Sequence, residues 1–442
     1  MVATEDFMNV LCSLVALLAA ANLCGALCER LRQPRVIGEI AGGLIVGPTL
    51  LGAFAPGVVA WLFPSSGPVA NILGAVSQLG LMLLLFISGA EMRLRFNRSE
   101  RAIVGSVSVT GVVLPFLVGL VILQFVELEE YWGPQGNRPS FVLIFATAIA
   151  VTSIPVISRI MAGLGILRTG FARVVLGVAI IEDVVLYAVL AIALNLAGGP
   201  STKVFGLPDL LGLEPGSSVD IAYHVVATIT LLAFFLACAG LIRAAAAKAR
   251  PLLTGVPGTA KRVLFLLAVT IACLFLGVQV FLGAFVAGVV VGQSRSEAAD
   301  RAQASIRRFA NAFFIPAYFA LVGVSLNLRQ PIDVWFLLAF LAVACLAKAG
   351  SVYLGARLAR AEPSRAFNLA IALNARGGPG IVLASVAYGA EAIDRDFYVC
   401  LVLLAIVTSV IAGSWLQSRP PAVFSQHDED EPAKAAETAG AS

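Results

Sequence analysis

Charge is scarce in this chain. Asp, Glu, Lys and Arg make up 13% of its 442 residues, while hydrophobic residues make up 59%. A soluble domain carries about a quarter charged residues, so a large soluble globule is excluded and a polytopic membrane protein is indicated. Runs of about 20 apolar residues, the length that spans a bilayer, recur along the whole chain. Histidine is scarcer still. His224 lies near the outer end of one apolar run and His427 in a polar tail, and neither has a neighbour at metal-ligand spacing. The seven cysteines, Cys12, Cys24, Cys28, Cys238, Cys273, Cys345 and Cys400, all lie in or beside apolar runs with no CxxC pair. A disulfide framework and a zinc site are therefore not indicated, and the cysteines read as helix-packing residues. No phosphate-cradling loop occurs, which speaks against a membrane enzyme. The net charge of +4 comes from dispersed basic residues, so a nucleic-acid partner is not indicated. The opening "MVATEDF" is acidic where a secretory signal would be basic, so the first apolar run reads as a retained helix.

What is present is a series of spans. Breaks at charged or Pro/Gly-rich positions divide the chain into thirteen segments, at about 7–28, 36–55, 69–91, 102–125, 140–162, 170–197, 220–242, 262–277, 279–293, 309–327, 332–356, 366–389 and 397–417. The eighth and ninth are parted without a polar loop, within "LFLGVQVFLGAF". Lys and Arg test the division, because they gather on the cytoplasmic side. Alternate connections and the tail carry 24 of the 30, the intervening ones four (Arg138, Lys203, Arg329 and Arg395), and two lie inside spans. This predicts the N-terminus outside and the C-terminus in the cytoplasm of a cell-membrane protein. The polar, acidic tail at 418–442 reads as disordered.

The segments repeat. "GEIAGGLIVG" (38–47) resembles "GAFVAGVVVG" (283–292), and "LFISGAEMRL" (85–94) resembles "FALVGVSLNL" (319–328). "AIAVTSIPVI" (148–157) and "LNARGGPGIV" (373–382) both place a helix break in mid-membrane, at Pro155 and at Gly377, Gly378 and Pro379. Each pair is seven segments apart. Seven is odd, so the copies run in opposite directions: repeat one at about 7–197, a linker helix at 220–242, and repeat two at about 262–417. Paired, interrupted helices of an inverted repeat mark the substrate site of a secondary transporter. The glycine spacing alone would mean only close helix packing.

Five ionisable side chains lie well inside spans: Glu39, Glu182, Asp183, Lys348 and Arg376. Such groups are costly in a bilayer and generally face a partner or a wet cavity. Glu182 and Asp183 are neighbours, so on a helix they point about 100° apart. Desolvation disfavours a bare carboxylate, which then holds either a proton or a cation. That exclusion is the minimal chemistry of cation/proton exchange. Thr152, Ser153 and carbonyls freed beside Pro155 are candidate oxygen ligands for a hard cation. Lys348 is a candidate partner for one of the acids. Arg376 is a candidate to balance charge where half-helix ends meet, or to fix Glu39. Glu39 reads equally as a helix-end charge or a lining residue.

These stretches, with "VAIIEDVV" (178–185), "FFIPAYFALVGVSLNL" (313–328) and "ALNARGGPGIVLA" (372–384), resemble the second branch of the monovalent cation/proton antiporter superfamily. The likeness runs in order over nearly the whole thirteen-span region. It implies an all-α dimer with two broken helices crossing in mid-membrane, and Asp183 as the residue binding cation and proton in competition. It implies no resident cofactor, only transported Na⁺ or K⁺ and H⁺. Lys348 matches the lysine that pairs with the preceding acid in electrogenic members. The departure is Glu182, where many such members have Asp. An acid–lysine pair stays chemically possible, which leans towards electrogenic exchange. A sodium-coupled solute symporter on the same scaffold and a non-transporting cation-sensing subunit are the alternatives.

Overall fold

Local signals start the helices where the apolar runs begin. The Asp333 carboxylate accepts from the Trp335 and Phe336 amides, at 2.9 and 3.0 Å, and Asp394 accepts from Asp396 and Phe397. Asn137 accepts from Ser140. Each satisfies an amide that the first helical turn leaves unpaired.

The computed structural model describes residues 3–31, 33–90, 98–152, 157, 160–161, 164–166, 169–197, 206–212, 219, 222–223, 226–231, 234, 257–278, 280–292, 296–329, 331–420 and 423–424. Among these the chain is helical, with one isolated bridge between Trp132 and Ile393. The main helices are α1 (Thr4–Arg30), α2 (Arg35–Val46), α3 (Pro68–Ala90), α4 (Arg98–Phe125), α5 (Arg138–Ala150), α6 (Gly170–Ala197) and α7 (Gly258–Phe275). They continue as α8 (Val280–Gly292), α9 (Glu297–Phe309), α10 (Ile315–Ser325), α11 (Val334–Leu358), α12 (Pro363–Ala372), α13 (Gly377–Gly389) and α14 (Arg395–Gln417). Nine helical stretches among the described residues are long and apolar enough to cross a membrane. The helices 138–150, 280–292 and 379–389 are apolar but shorter.

Most bounds fall within a few residues of the predicted spans. The turn between the eighth and ninth segments is made by Gly277, whose φ of +69° suits a residue without Cβ. The predicted linker helix, His224 and Cys238 lie wholly or mostly outside the described residues, as do Ser153, Pro155 and His427. The tail is placed at 418–420 and 423–424, and Phe424 is buried against Phe171, ring centroids 4.9 Å apart. One element was not foreseen. The connection before the tenth segment is the helix α9, capped by Ser296, with Glu297 and Asp300 in its first turn and Arg307 and Arg308 in its last. Those charges complement the helix dipole. It runs through a π-turn, Ala310–Phe314, into α10.

Packing follows the small residues. Helix α2 crosses α10 and α3 crosses α8. A Cβ on Gly43 would overlap the Ala320 carbonyl oxygen, and one on Gly323 that of Ile40. At the other crossing, Gly288 meets the Phe86 carbonyl and Gly89 that of Phe285. Further neighbouring pairs are α1 with α2, α7 with α8, α4 with α5 and α11 with α12. Helix α5 also packs on α6, and α13 on α14. A Gly43→Val substitution should destabilise the purified protein by at least the ~1–3 kcal/mol of overpacking, because the obstruction is backbone. Gly74→Val, in α3 where a Cβ meets nothing within 4 Å, should leave thermal melting nearly unchanged.

Candidate ion-binding site

The site grows from two interruptions. Helix α5 ends at Ala150, and Val151 turns to extended backbone with φ −64° and ψ 147°. Between α12 and α13 the chain leaves helix at Leu373 and resumes at Gly377. The interruptions meet: the Thr152 hydroxyl donates to the Leu373 carbonyl at 2.7 Å.

A helix that ends inside a membrane leaves carbonyls that water cannot reach. Here two cations satisfy them. Arg376 donates to the Ala148 carbonyl at 3.2 Å and to Ile149 at 2.8 Å, and Lys348 donates to Ala150 at 2.6 Å. Positive charge at a helix C-terminus also opposes the partial negative charge there. Arg376 is tied further to the Ala344 carbonyl and the Asn374 side chain, at 2.6 and 2.8 Å. The opposite half-helix is capped by hydroxyls. Thr408 accepts from the Arg376 amide at 3.2 Å and Ser409 from the Gly377 amide at 3.3 Å.

Lys348 is completely buried, so its chain does not reach for the membrane surface. It pairs with Glu182 at 2.7 Å and also donates to the Gly111 carbonyl at 2.9 Å. Asp183 is also fully buried. Among the described residues neither of its carboxylate oxygens has a hydrogen-bond partner, and the same holds for the second oxygen of Glu182. The helix geometry separates the two acids. Glu182 faces Lys348 on α11, whereas Tyr187, one turn beyond Asp183, packs on Phe281 and Phe285 of α8. A buried carboxylate without partners is too costly to persist bare. It has to take up a proton or a cation.

One expectation is corrected. Arg376 does not fix Glu39: Glu39 is buried in an ion pair with Arg35 one turn earlier, at 2.9 Å. The carbonyls expected beside Pro155 lie mostly outside the described residues; those of Ala148, Ile149 and Ala150, at the end of α5, accept from Arg376 and Lys348. Thr152 joins the two interruptions, and α13 opens at Gly377.

Comparison with known proteins places this geometry. Residues 14–418 match the family model described as sodium/hydrogen exchanger, transmembrane. The chain belongs to the sodium/hydrogen exchanger family. It is a membrane-spanning cation/proton antiporter and not an enzyme. Among relatives of this exchanger, the Na⁺/H⁺ antiporter NhaS4 of Synechocystis is 27% identical, covering 93% of this chain and 97% of that protein. The Na⁺/H⁺-K⁺ antiporter GerN of Bacillus cereus is 22% identical over 91% of this chain and 94% of its own. K⁺/H⁺ antiporter 1 of Saccharomyces cerevisiae is 26% identical, and there the match covers 89% of this chain but 44% of the longer yeast protein. The sodium proton antiporter MjNhaP1 of Methanocaldococcus jannaschii shares the fold, with a TM-score of 0.68 at 16% identity, over 93% of this chain and 97% of that one.

The sequence reading of this exchanger missed Gly111, Asn374, Thr408 and Ser409. One signal pointed to the last two: "VTS" at 407–409 repeats "VTS" at 151–153. Gly111 has no local signal. Its role depends on which side chains from other helices arrive beside it.

Proposed function

We propose that the protein exchanges Na⁺ or K⁺ for protons by alternating access, with Asp183 as the group for which cation and proton compete. The observation that carries this is the fully buried Asp183 carboxylate, with both oxygens unpartnered among the described residues, one residue from the Glu182–Lys348 ion pair at the meeting of two interrupted helices. Glu182 and Lys348 form the charge partner of the site, and Arg376 holds the half-helices in register. Thr152 and Ser153 supply further oxygens, and no resident cofactor takes part. Na⁺ is favoured as the transported ion; the names of the relatives include both sodium and potassium.

The architecture proposed is thirteen spans in the cell membrane, N-terminus outside and C-terminus in the cytoplasm. Spans 1–6 and 8–13 are inverted copies joined by span 7, and two chains form a homodimer. The glycine crossings support the repeat. When 38–47 is aligned with 283–292 and 85–94 with 319–328, Gly43 against Ala320 corresponds to Gly288 against Phe86. Gly323 against Ile40 likewise corresponds to Gly89 against Phe285. The same contact, made twice with the partners exchanged, is what a two-fold relation between the halves requires.

The test is a flux measurement on purified protein in liposomes carrying an imposed pH gradient. Pulses of Na⁺, K⁺ and Li⁺ should collapse the gradient in order of preference. Net charge movement should follow an imposed membrane potential if the lysine pair makes exchange electrogenic. A gradient insensitive to all three ions would reject this reading.

A further inference from the structure

Glu182 is one methylene longer than aspartate, and something must leave room for it. The room is at Gly111 of α4. A Cβ built on Gly111 would stand 2.7 Å from the nearer Glu182 carboxylate oxygen, 3.6 Å from Lys348 Nζ and 3.6 Å from a Val352 methyl. The Gly111 carbonyl meanwhile accepts from Lys348 at 2.9 Å. One residue thus touches both members of the buried pair: its backbone binds the lysine, and its missing side chain is the space that the acid fills. The other charged groups of this site are Asp183, next along α6, and Arg376, at the break between α12 and α13.

We propose that Gly111 is a positioning residue for the exchange reaction, and that the size of residue 111 and the length of the acid at 182 are one coupled trait. Glycine at 111 admits glutamate at 182 and sets where its carboxylate meets Lys348. An alanine at 111 would displace the carboxylate, while an aspartate at 182 would leave the space beside Gly111 empty. The atom that alanine meets is the free end of a side chain and not backbone, so the fold should tolerate Gly111→Ala. Its transport readout rests on the exchanger reading above; its structural readout does not.

The experiment compares four proteins: wild type, Gly111→Ala, Glu182→Asp and the double variant. For each, thermal melting, the half-saturating Na⁺ or K⁺ concentration and the pH profile of exchange are measured in proteoliposomes. Each single variant should raise the half-saturating concentration and displace the pH profile, and the double variant should return both towards wild type. The non-additivity should be about threefold or more, as for side chains in contact. A purely structural role for Gly111 would lower melting and leave the pH profile in place. Should Gly111→Ala fail to assemble, assembly regained in the double variant supports the coupling, and failure of both overturns it. Strictly additive effects in melting and transport also overturn it. If wild type itself shows no cation response, the exchanger reading fails and takes the transport role of Gly111 with it, while coupling in melting still decides whether the size of residue 111 and the length of the acid at 182 are one trait.

Discussion

Asp183→Asn should reduce cation-driven proton movement to the level of vesicles lacking the protein, while leaving thermal stability equal to or above wild type. Both halves follow from the same fact. Asp183 is buried with neither oxygen hydrogen-bonded among the described residues, so the fold gains nothing from its charge. Asparagine has nearly the same shape and removes the cost of an unpaired buried carboxylate. It can neither release a proton nor offer a negative charge to a cation, so exchange stops. Two further measurements tie the loss to binding. In wild type, added Na⁺ or K⁺ should raise the melting temperature, since a ligand that binds only the folded state stabilises it, by about 2.7 kcal/mol at a hundred times the dissociation constant. The variant should lose this response. If one proton and one cation compete for the carboxylate, the half-saturating cation concentration should also fall about tenfold for each unit rise in pH on the acidic limb. Full exchange in the variant would remove Asp183 from its assigned place.

The second large effect concerns the buried pair. Lys348→Gln should lower stability by about 3–5 kcal/mol, the usual cost of breaking a buried ion pair by removing one partner. It leaves Glu182 without its counter-charge and weakens the donation to the carbonyls of Gly111 and Ala150. The double variant Glu182→Gln, Lys348→Gln should be more stable than Lys348→Gln alone, because no uncompensated charge remains. Chemical or thermal melting of the purified proteins measures both. Transport should respond differently. Losing a positive charge beside two carboxylates makes proton release harder, so residual exchange by Lys348→Gln should move to more alkaline pH. A Lys348→Gln protein as stable as wild type, with an unmoved pH profile, would show that the pair serves neither the fold nor the reaction.

Much of this was legible in the order of residues. A membrane solvent forces long apolar helices, so spans such as 69–91 and 170–197 could be read within a residue or two of α3 and α6. Gly/Pro interruptions read directly as breaks, and the break at Asn374–Arg376 is where the helix fails. Charges inside spans stand out because a bilayer makes them expensive, which is why Glu182, Asp183, Lys348 and Arg376 could be named together. The glycine spacing signalled close helix packing, since only a residue without Cβ lets two backbones meet. The helix α9 escaped notice because its polar residues look like a loop until its cap and charge order are considered together.

Which residue meets which was decided only by tertiary structure. Nothing local told Arg376 to cap the end of α5 and not to pair with Glu39, or assigned Glu182 and not Asp183 to Lys348. Those pairings join positions up to 228 residues apart, and each depends on how helices from both halves of the chain cross. The same crossing leaves Asp183 with no hydrogen-bond partner among the described residues and gives Gly111 its contact with Glu182. The sequence by itself determined the helices and which groups had to be explained. Their packing determined which charges are satisfied and which carboxylate is left to take a proton or an ion, because hydrogen bonds and ion pairs reach only about 3 Å and therefore belong to the packed structure.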